Sequence, residues 1–331
     1  MSGPSDHAPS ETALAYPDPP FRLPYRFMAI DMGSNATRYR IWRIAEDGEA
    51  RIMESNRFPL RLGRGVFAEG RLDDEIMDRA IETVSAILKR ADTLGVNGIT
   101  GVTTSAMREA ANREELIERV RASAGLTLAV LTEGEEARLG ARGIIGGRDR
   151  VEGEHLLIDI GGGSTEVTLT EGLKIIHDKS MRLGTVRLTG LFFREIPPAP
   201  EQIRQAESHI TATLGRHLEL PPPAGPRDCL GCAGTVTALQ VIGRHFKGRA
   251  GADNAMTLGQ VDAMVERMKG MTPAELVEEY EIKPDRAEVL LAGGLILQQL
   301  MRHLGQNELE CAEGGVGDGL LHEFLERIRE G

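Results

Sequence analysis

The fold is decided by the stretch Ile158-Asp159-Ile160-Gly161-Gly162-Gly163-Ser164-Thr165-Glu166, because its pattern already occurs earlier in the chain. The earlier copy reads Ile30-Asp31-Met32-Gly33-Ser34-Asn35-Ala36-Thr37-Arg38. Each copy follows an apolar strand and leads into a second strand in which polar and apolar residues alternate. The pattern of strand, aspartate, small-residue turn and strand is therefore used twice.

The distance between the two copies predicts how the chain is organised. Solenoid proteins repeat every 20–50 residues or so, and the offset from Asp31 to Asp159 is far larger. Two α/β domains that face one another across a cleft explain the duplication best. Chance similarity between two short turns is the alternative.

Helical and strand patterns alternate along the rest of the chain, which predicts mixed sheets flanked by helices. We predict strands over residues 98–103 and 126–131. The predicted helices cover residues 74–94, 108–122, 133–145, 201–219, 235–246, 260–268, 285–304 and 318–329.

Composition and charge exclude several classes of function. No apolar run approaches the ~20 residues of a membrane helix. A net charge of −11 argues against a nucleic-acid or anionic-membrane partner. Residues 1–26, rich in proline, are predicted to form a disordered arm of a cytoplasmic protein. Cys229 and Cys232 form a C-x-x-C pair, which we interpret as buried thiols rather than a metal or redox site.

The second turn carries the chemistry of a phosphate site. Its glycines, Gly161, Gly162 and Gly163, place no side chain in the way of a phosphate, so their N–H groups can converge on its oxygens. Ser164 and Thr165 add hydroxyl donors, and Asp159 at the strand end is placed to hold Mg²⁺ directly or through water. A glycine-rich hairpin turn without a ligand is the structural alternative.

The first turn has one glycine, Gly33, but it is also rich in short polar groups. Asp31, Ser34, Asn35 and Thr37 suit a phosphate or a metal-bound water on the opposite wall of the cleft. A turn stabilised only by its own asparagine side chain is the alternative.

Three further segments could contribute residues to the phosphate site. Thr103 to Arg108 ends a strand and opens a helix, so the helix N-terminus and Arg108 could grip an anion; a solvated arginine is the alternative. Of the adjacent Glu135 and Glu136, only one can point into a given cleft. Gly234 and Thr235, before a helix, could hold a phosphate or nucleotide edge, or could simply form a tight connection.

These residues resemble the exopolyphosphatase/guanosine pentaphosphate phosphohydrolase family, which belongs to the superfamily of actin, hexokinase and sugar kinases. The resemblance runs from about Phe27 to the C-terminus. Besides the two turns it rests on these motifs, in order: Thr104-Ser105-Ala106-Met107-Arg108-Glu109-Ala110-Ala111-Asn112, Glu135-Glu136-Ala137-Arg138-Leu139, Leu183-Gly184-Thr185-Val186-Arg187-Leu188-Thr189 and Gly231-Cys232-Ala233-Gly234-Thr235.

The resemblance implies two actin/hexokinase-like (ribonuclease H-like) domains, the first over residues 27–130 plus about 310–331 and the second over 131–309. It implies that Glu136 is the base acting on the attacking water and that Arg108 binds phosphate. Asp159 and Glu166 would hold Mg²⁺ and water, with Asp31 opposite, and a monovalent cation such as K⁺ could assist. The two glycine turns would cradle the phosphoryl groups.

The resemblance also implies the substrate class. We expect an exopolyphosphatase that acts on inorganic polyphosphate, in the short two-domain form and as a homodimer. Hydrolysis of guanosine pentaphosphate is the first alternative. A non-catalytic sensor of alarmone nucleotides and a phosphotransferase that makes ATP from ADP are the others.

Overall fold

The computed structural model describes residues 14–148, 151–223, 227–246 and 254–330. Its first sheet contains β1 (Tyr25–Met32), β2 (Thr37–Ile44), β3 (Ala50–Phe58), β4 (Gly98–Thr103) and β5 (Leu128–Val130), in the order β3-β2-β1-β4-β5. Strands β1, β2 and β3 form an antiparallel meander, and β4 and β5 continue the sheet in parallel with β1.

The second sheet repeats this plan. Its strands are β6 (Glu154–Ile160), β7 (Thr165–Glu171), β8 (Lys174–Met181), β9 (Arg227–Cys232), β10 (Ala255–Thr257) and β11 (Glu308–Cys311), in the order β10-β11-β9-β6-β7-β8. Strands β6 to β8 form the antiparallel meander, β9 and β11 extend it in parallel, and β10 adds an antiparallel edge.

The duplication seen in the sequence is matched residue by residue in the sheets. Asp31 pairs with Arg38 across β1 and β2, and Asp159 pairs with Glu166 across β6 and β7. Each aspartate therefore lies at the end of a central strand, directly before its turn. The predicted fold class, two mixed sheets flanked by helices, is confirmed.

The helices follow the predicted pattern with some differences. They are α1 (Gly63–Glu69), α2 (Asp74–Thr93), α3 (Ser105–Glu109), α4 (Arg113–Ala124), α5 (Glu133–Ile145), α6 (Thr185–Phe192), α7 (Pro200–His217), α8 (Ala233–Gly243), α9 (Leu258–Met268), α10 (Pro273–Tyr280), α11 (Pro284–His303) and α12 (Val316–Glu330). The sequence patterns did not predict α1, α6 and α10.

The single helix predicted over 108–122 is wrong, because the chain breaks between α3 and α4. Ala110 is extended, with φ −68° and ψ 121°. The side chain of Asn112 accepts a hydrogen bond from Leu72 N and donates one to Leu72 O, both at 2.9 Å. These bonds pull the chain away from the helical path.

Helix α5 connects the two halves of the molecule, and α12 packs against it on the first sheet. Leu139 of α5 lies in an apolar cluster with Phe27 and Phe324, on the first sheet. Ile144 and Ile145, one to two turns later, pack against Leu157, Leu230 and Cys232 of the second sheet. The domain boundary near residue 130 stays a prediction, since α5 contributes to both cores.

The described part of the N-terminal segment differs from the disordered arm that we expected over residues 1–26. Tyr16 stacks on Phe324 with ring centroids 6.5 Å apart, and its hydroxyl donates to Glu323 at 2.7 Å. Phe21 meets Phe324 edge-on at 5.3 Å. Because these aromatic groups cover an apolar face of α12, they order the chain. Residues 1–13 lie outside the described residues.

Cys229 and Cys232 are buried, as predicted, and form no disulfide, and burial raises the pKa values of their thiols. Within the described ranges, no helix is long and apolar enough to cross a membrane.

Candidate active site

Four carboxylates approach one another between the two sheets. Asp31 and Asp159 end the central strands, Glu166 lies on β7 and Glu136 lies on the first turn of α5. Their charges act on one another: Asp159 raises the pKa values of Asp31, Glu136 and Glu166. The structure thus places Asp31, Glu136 and Glu166 within electrostatic reach of Asp159; their catalytic and metal-binding roles stay predictions.

Burial dominates the ionisation of this carboxylate cluster. It raises the pKa of Glu136 to about 7; Asp159 and Asp31 add to the rise, and Arg108 opposes it. Burial also raises the pKa of Glu166 well above its usual value, with Glu136 and Asp159 as further causes. A carboxyl group with a pKa near 7 can accept a proton at neutral pH and is suited to general-base catalysis.

The adjacent residues Glu135 and Glu136 of α5 make different hydrogen bonds. Arg108 Nη1 donates to Glu136 Oε2 at 2.5 Å and to the carbonyl oxygen of Leu131 at 2.9 Å. Glu135 instead closes a capping box, accepting from the backbone N–H and the hydroxyl of Thr132, both at 2.8 Å. Glu136 is therefore the member of the pair that faces the carboxylate cluster, and Glu135 begins the helix.

The two turns share one hydrogen-bond pattern. Gly33 N donates to Ala36 O at 3.1 Å, and Gly161 N donates to Ser164 O at 3.0 Å. The N–H groups of Gly33 and Gly161 are therefore used inside the turns, contrary to a role as free donors. The second and third N–H groups of each turn, at Ser34, Asn35, Gly162 and Gly163, donate to no other group among the described residues.

The carbonyl groups of both turns are held from outside by the start of a helix. Gly63 N donates to Ser34 O at 2.8 Å, at the beginning of α1. Val186 N and Arg187 N, at the beginning of α6, donate to Gly162 O at 2.9 and 3.1 Å. This fixes each turn while its N–H groups stay available for an anion.

The two turns also contact each other across the cleft. A Cβ atom at Gly162 would lie 3.1 Å from both Asn35 N and Ser34 Cβ, so a larger residue here would require the first turn to shift by a few tenths of an ångström. The side-chain amide of Asn35 is buried, and neither its nitrogen nor its oxygen has a partner in the described structure. A phosphate oxygen bound here would satisfy the amide nitrogen of Asn35.

Some predicted hydroxyl donors have structural roles instead. Thr165 Oγ1 donates to Leu183 O at 2.5 Å, and Thr235 Oγ1 donates to Ile160 O at 2.8 Å. Ser34 Oγ accepts from Ala106 N at 3.1 Å, and the Ser164 side chain bonds to Glu166. Thr165 and Thr235 thus fix the strand ends rather than offer donors to a ligand.

The sequence matches a known protein family over most of its length. The model of the Ppx/GppA phosphatase family matches residues 41–328. The chain belongs to the Ppx/GppA phosphatase family.

The chain is 29% identical over 315 residues to exopolyphosphatase 2 of Mycobacterium tuberculosis, covering 89% of this chain and 97% of that protein. It is 26% identical over 307 residues to a guanosine-5'-triphosphate,3'-diphosphate pyrophosphatase of Photobacterium profundum, covering 92% of this chain but 60% of that one. The crystal structure of an Aquifex aeolicus Ppx/GppA family member superposes with a TM-score of 0.73 and 28% identity, covering 92% and 98% of the chains.

Family membership confirms the expected hydrolase class. The substrate, the roles of individual residues, Mg²⁺, the homodimer and the cytoplasmic location stay predictions.

Two arginines of the site were not among the predicted site residues. Burial raises the pKa values of Asp31 and Asp159; Arg38 opposes the rise at both residues, and Arg286 of α11 also opposes it at Asp159. A Cβ atom at Gly234 would collide with Arg286 Nη2 and lie 2.9 Å from Arg38 Nη2. Arg38 is the ninth residue of the first copy of the motif, as Glu166 is of the second. This correspondence could have identified Arg38 from the sequence. No local pattern marked Arg286.

Asp31 and Asp159 fit a magnesium ion whose other ligands are phosphate oxygens and water. In the described ranges, no three His, Cys, Asp or Glu side chains form a ready metal site. Mg²⁺ is commonly held by one or two carboxylates, with phosphate oxygens and water completing its shell. Asp31, whose Oδ1 atom is buried without a partner, and Asp159 on the opposite wall suit that mode.

A hollow of about 640 Å³ is lined by none of the four clustered carboxylates; its lining includes Arg61, Arg64, Arg79, Glu69, Asp73 and Glu75. Its basic and acidic side chains balance. We place the chemistry at the carboxylate cluster, where buried charges converge, rather than in this solvent-facing hollow.

Proposed function

We propose that the protein releases terminal orthophosphate from inorganic polyphosphate, with Glu136 as the base that activates water. The observation that carries this proposal is the environment of Glu136, a largely buried carboxylate that is hydrogen-bonded to Arg108. Its pKa of about 7 and its hydrogen bond to Arg108 suit a base that works at neutral pH. It faces three more carboxylates beside two turns that have unused N–H groups.

The proposed reaction is a displacement at the terminal phosphorus. The oxygen of a water molecule forms a bond to phosphorus while the bridging P–O bond breaks. Glu136 accepts a proton from the water, and the shortened chain leaves with the bonding electrons on its terminal oxygen. The N–H groups of Gly162, Gly163, Ser34 and Asn35 would stabilise charge on the phosphoryl oxygens.

Asp31 and Asp159 would hold a divalent cation, and Glu166 would orient water beside it. When bound, Mg²⁺, assisted by a monovalent cation such as K⁺, would neutralise phosphate charge in this acidic protein. Arg38 and Arg286, beside Gly234, would bind phosphate groups that remain on the leaving side. Arg108 Nε and Nη2 donate to no described protein group, so the guanidinium can bind phosphate while it orients Glu136.

Guanosine pentaphosphate is the second candidate substrate. Its hydrolysis uses the same chemistry, and the Photobacterium profundum relative is named for it. Two arginines on the leaving side suit either a longer phosphate chain or a nucleotide diphosphate. We place polyphosphate first because the relative that matches over nearly its whole length is an exopolyphosphatase.

Orthophosphate release separates the candidates. The purified protein is incubated with Mg²⁺ and either polyphosphate or guanosine pentaphosphate, each with and without ADP. Faster release from polyphosphate, independent of ADP, is expected. Release from guanosine pentaphosphate alone would reverse the order of substrates, and ATP formation would indicate a phosphotransferase. Binding without release would indicate a sensor.

A further inference from the structure

An ion pair crosses the cleft next to the proposed catalytic residues. Glu109, which follows Arg108 on α3, binds Arg187 at the start of α6 on the opposite wall. Their side chains are 22% and 10% exposed, so the pair is largely shielded from water. Arg182 binds the other carboxylate oxygen of Glu109 at 3.0 Å, but its side chain is 75% exposed.

Arg187 also holds the second glycine turn directly. Its Nε donates to Gly163 O at 2.7 Å, and its backbone N donates to Gly162 O at 3.1 Å. Its guanidinium lies 3.9 Å from the ring centroid of Phe67, on α1 of the opposite wall. One side chain therefore joins the turn to two elements of the first domain.

The surroundings of Gly163 depend on the same contacts. A Cβ atom there would collide with Phe67 Cζ and lie 2.6 Å from Ser105 Oγ, the first residue of α3. If the walls separated, Arg187 would lose Glu109 and Phe67 together. A largely buried arginine without its carboxylate is unfavourable, because the charge stays desolvated without compensation.

We propose that Glu109 and Arg187 are positioning residues for hydrolysis, which lock the second glycine turn against the helix that carries Arg108. Arg108 orients Glu136, and its neighbour Glu109 fixes the turn that would bind the phosphoryl group. Helix α3 thus sets the distance between base and phosphate. The kinetic part of this inference rests on the proposed function.

The kinetic test compares Glu109→Gln with Arg182→Gln. Both variants remove one charge from the same ion-pair cluster, but only Glu109 contacts the arginine that binds the turn. We expect Glu109→Gln to lower kcat by about 10–100-fold, since small misplacements of reacting groups cost that much, with KM changed far less. Arg182→Gln should stay within about twofold of the wild type. Arg187→Lys, which loses the planar Nε donor, should resemble Glu109→Gln.

A second readout does not depend on activity. Small-angle scattering of the free proteins should give a larger radius of gyration for Glu109→Gln than for the wild type and Arg182→Gln. Thermal melting of each variant identifies any that fail to fold. Equal kcat for Glu109→Gln and Arg182→Gln, or an unchanged radius of gyration in folded Glu109→Gln, would overturn the proposal. A wild type that hydrolyses no phosphoanhydride would refute the proposed function alone, and the scattering result would then decide the role of the pair.

Discussion

Arg108 and Glu136 are joined by a 2.5 Å hydrogen bond from Nη1 to Oε2, although they lie on different helices. The same nitrogen donates to Leu131 O, so the guanidinium is held from two sides. The side chains are 17% and 15% exposed, and little water screens the pair. The charge of Arg108 therefore acts strongly on the ionisation of Glu136.

This relationship predicts the pH dependence of the reaction. Glu136 is a base only when ionised, so kcat/KM should fall as the pH drops through about 7, the raised pKa of this group. Since Arg108 lowers the pKa of Glu136, Arg108→Gln should move this fall to higher pH, and Arg108→Lys should restore part of the shift. A pH profile that Arg108→Gln leaves in place would contradict the assignment.

Metal removal tests the role of Asp159. EDTA should abolish turnover, because the phosphate chain and the carboxylate cluster are both anionic. Asp159→Asn should abolish turnover or weaken its dependence on Mg²⁺, measured as orthophosphate release over a Mg²⁺ titration. Asp178→Asn, an exposed change on β8 of the same sheet, is the matched control and should leave the titration unchanged. Full activity in EDTA would contradict the expected cofactor.

The carboxylate cluster should make the free protein less stable at high pH. The pKa of Glu166 is raised in the folded state, so its ionisation destabilises the fold above the unfolded pKa and costs nothing well below it. Glu166→Gln should raise Tm by a few degrees at pH 8, with the gain vanishing near pH 4. Glu171 is exposed at the end of the same strand, so the control variant Glu171→Gln should change Tm little. A gain that is equal at both pH values would rule out this electrostatic origin.

The packed N-terminal segment predicts a second effect on stability. A variant that begins at residue 25 loses the contacts of Tyr16 and Phe21 with Phe324. Burying a large apolar side chain stabilises by about 1.5–3 kcal/mol, so its Tm should fall by several degrees. A variant that begins at residue 14 is the control for shortening and should melt like the wild type. Equal melting of both would mean that these aromatic contacts contribute nothing.

The duplicated turns could be predicted from the sequence because they are local. An aspartate at a strand end, followed by small residues and a second strand, requires only neighbouring residues. Helix α5 was predicted within the bounds that the structure shows, Glu133 to Ile145, and its start is also local because Thr132 and Glu135 close a capping box.

The parts that escaped prediction depend on contacts between distant residues. Arg286 reaches Gly234 from another helix, and Asn112 breaks a helical pattern by bonding to Leu72. The hydroxyl of Thr165 reads as a ligand donor in the motif, and only the fold shows that it donates to Leu183. Such pairings depend on how segments far apart in the sequence pack together, which no periodicity encodes.

The central claim is that Glu136 activates the attacking water. Replacement by Gln keeps the size of the side chain and removes the proton acceptor. Glu135→Gln is the matched control, because a glutamine still closes the capping box with Thr132.

The most direct measurement follows orthophosphate release from polyphosphate in ¹⁸O-labelled water with Mg²⁺, for the wild type and both variants. The account predicts one labelled oxygen in each released orthophosphate and a kcat lower by ~10²–10⁴ in Glu136→Gln. Glu135→Gln should stay close to the wild type. Two results would contradict the account. One is release of labelled orthophosphate at the wild-type rate by folded Glu136→Gln, and the other is release of orthophosphate without label.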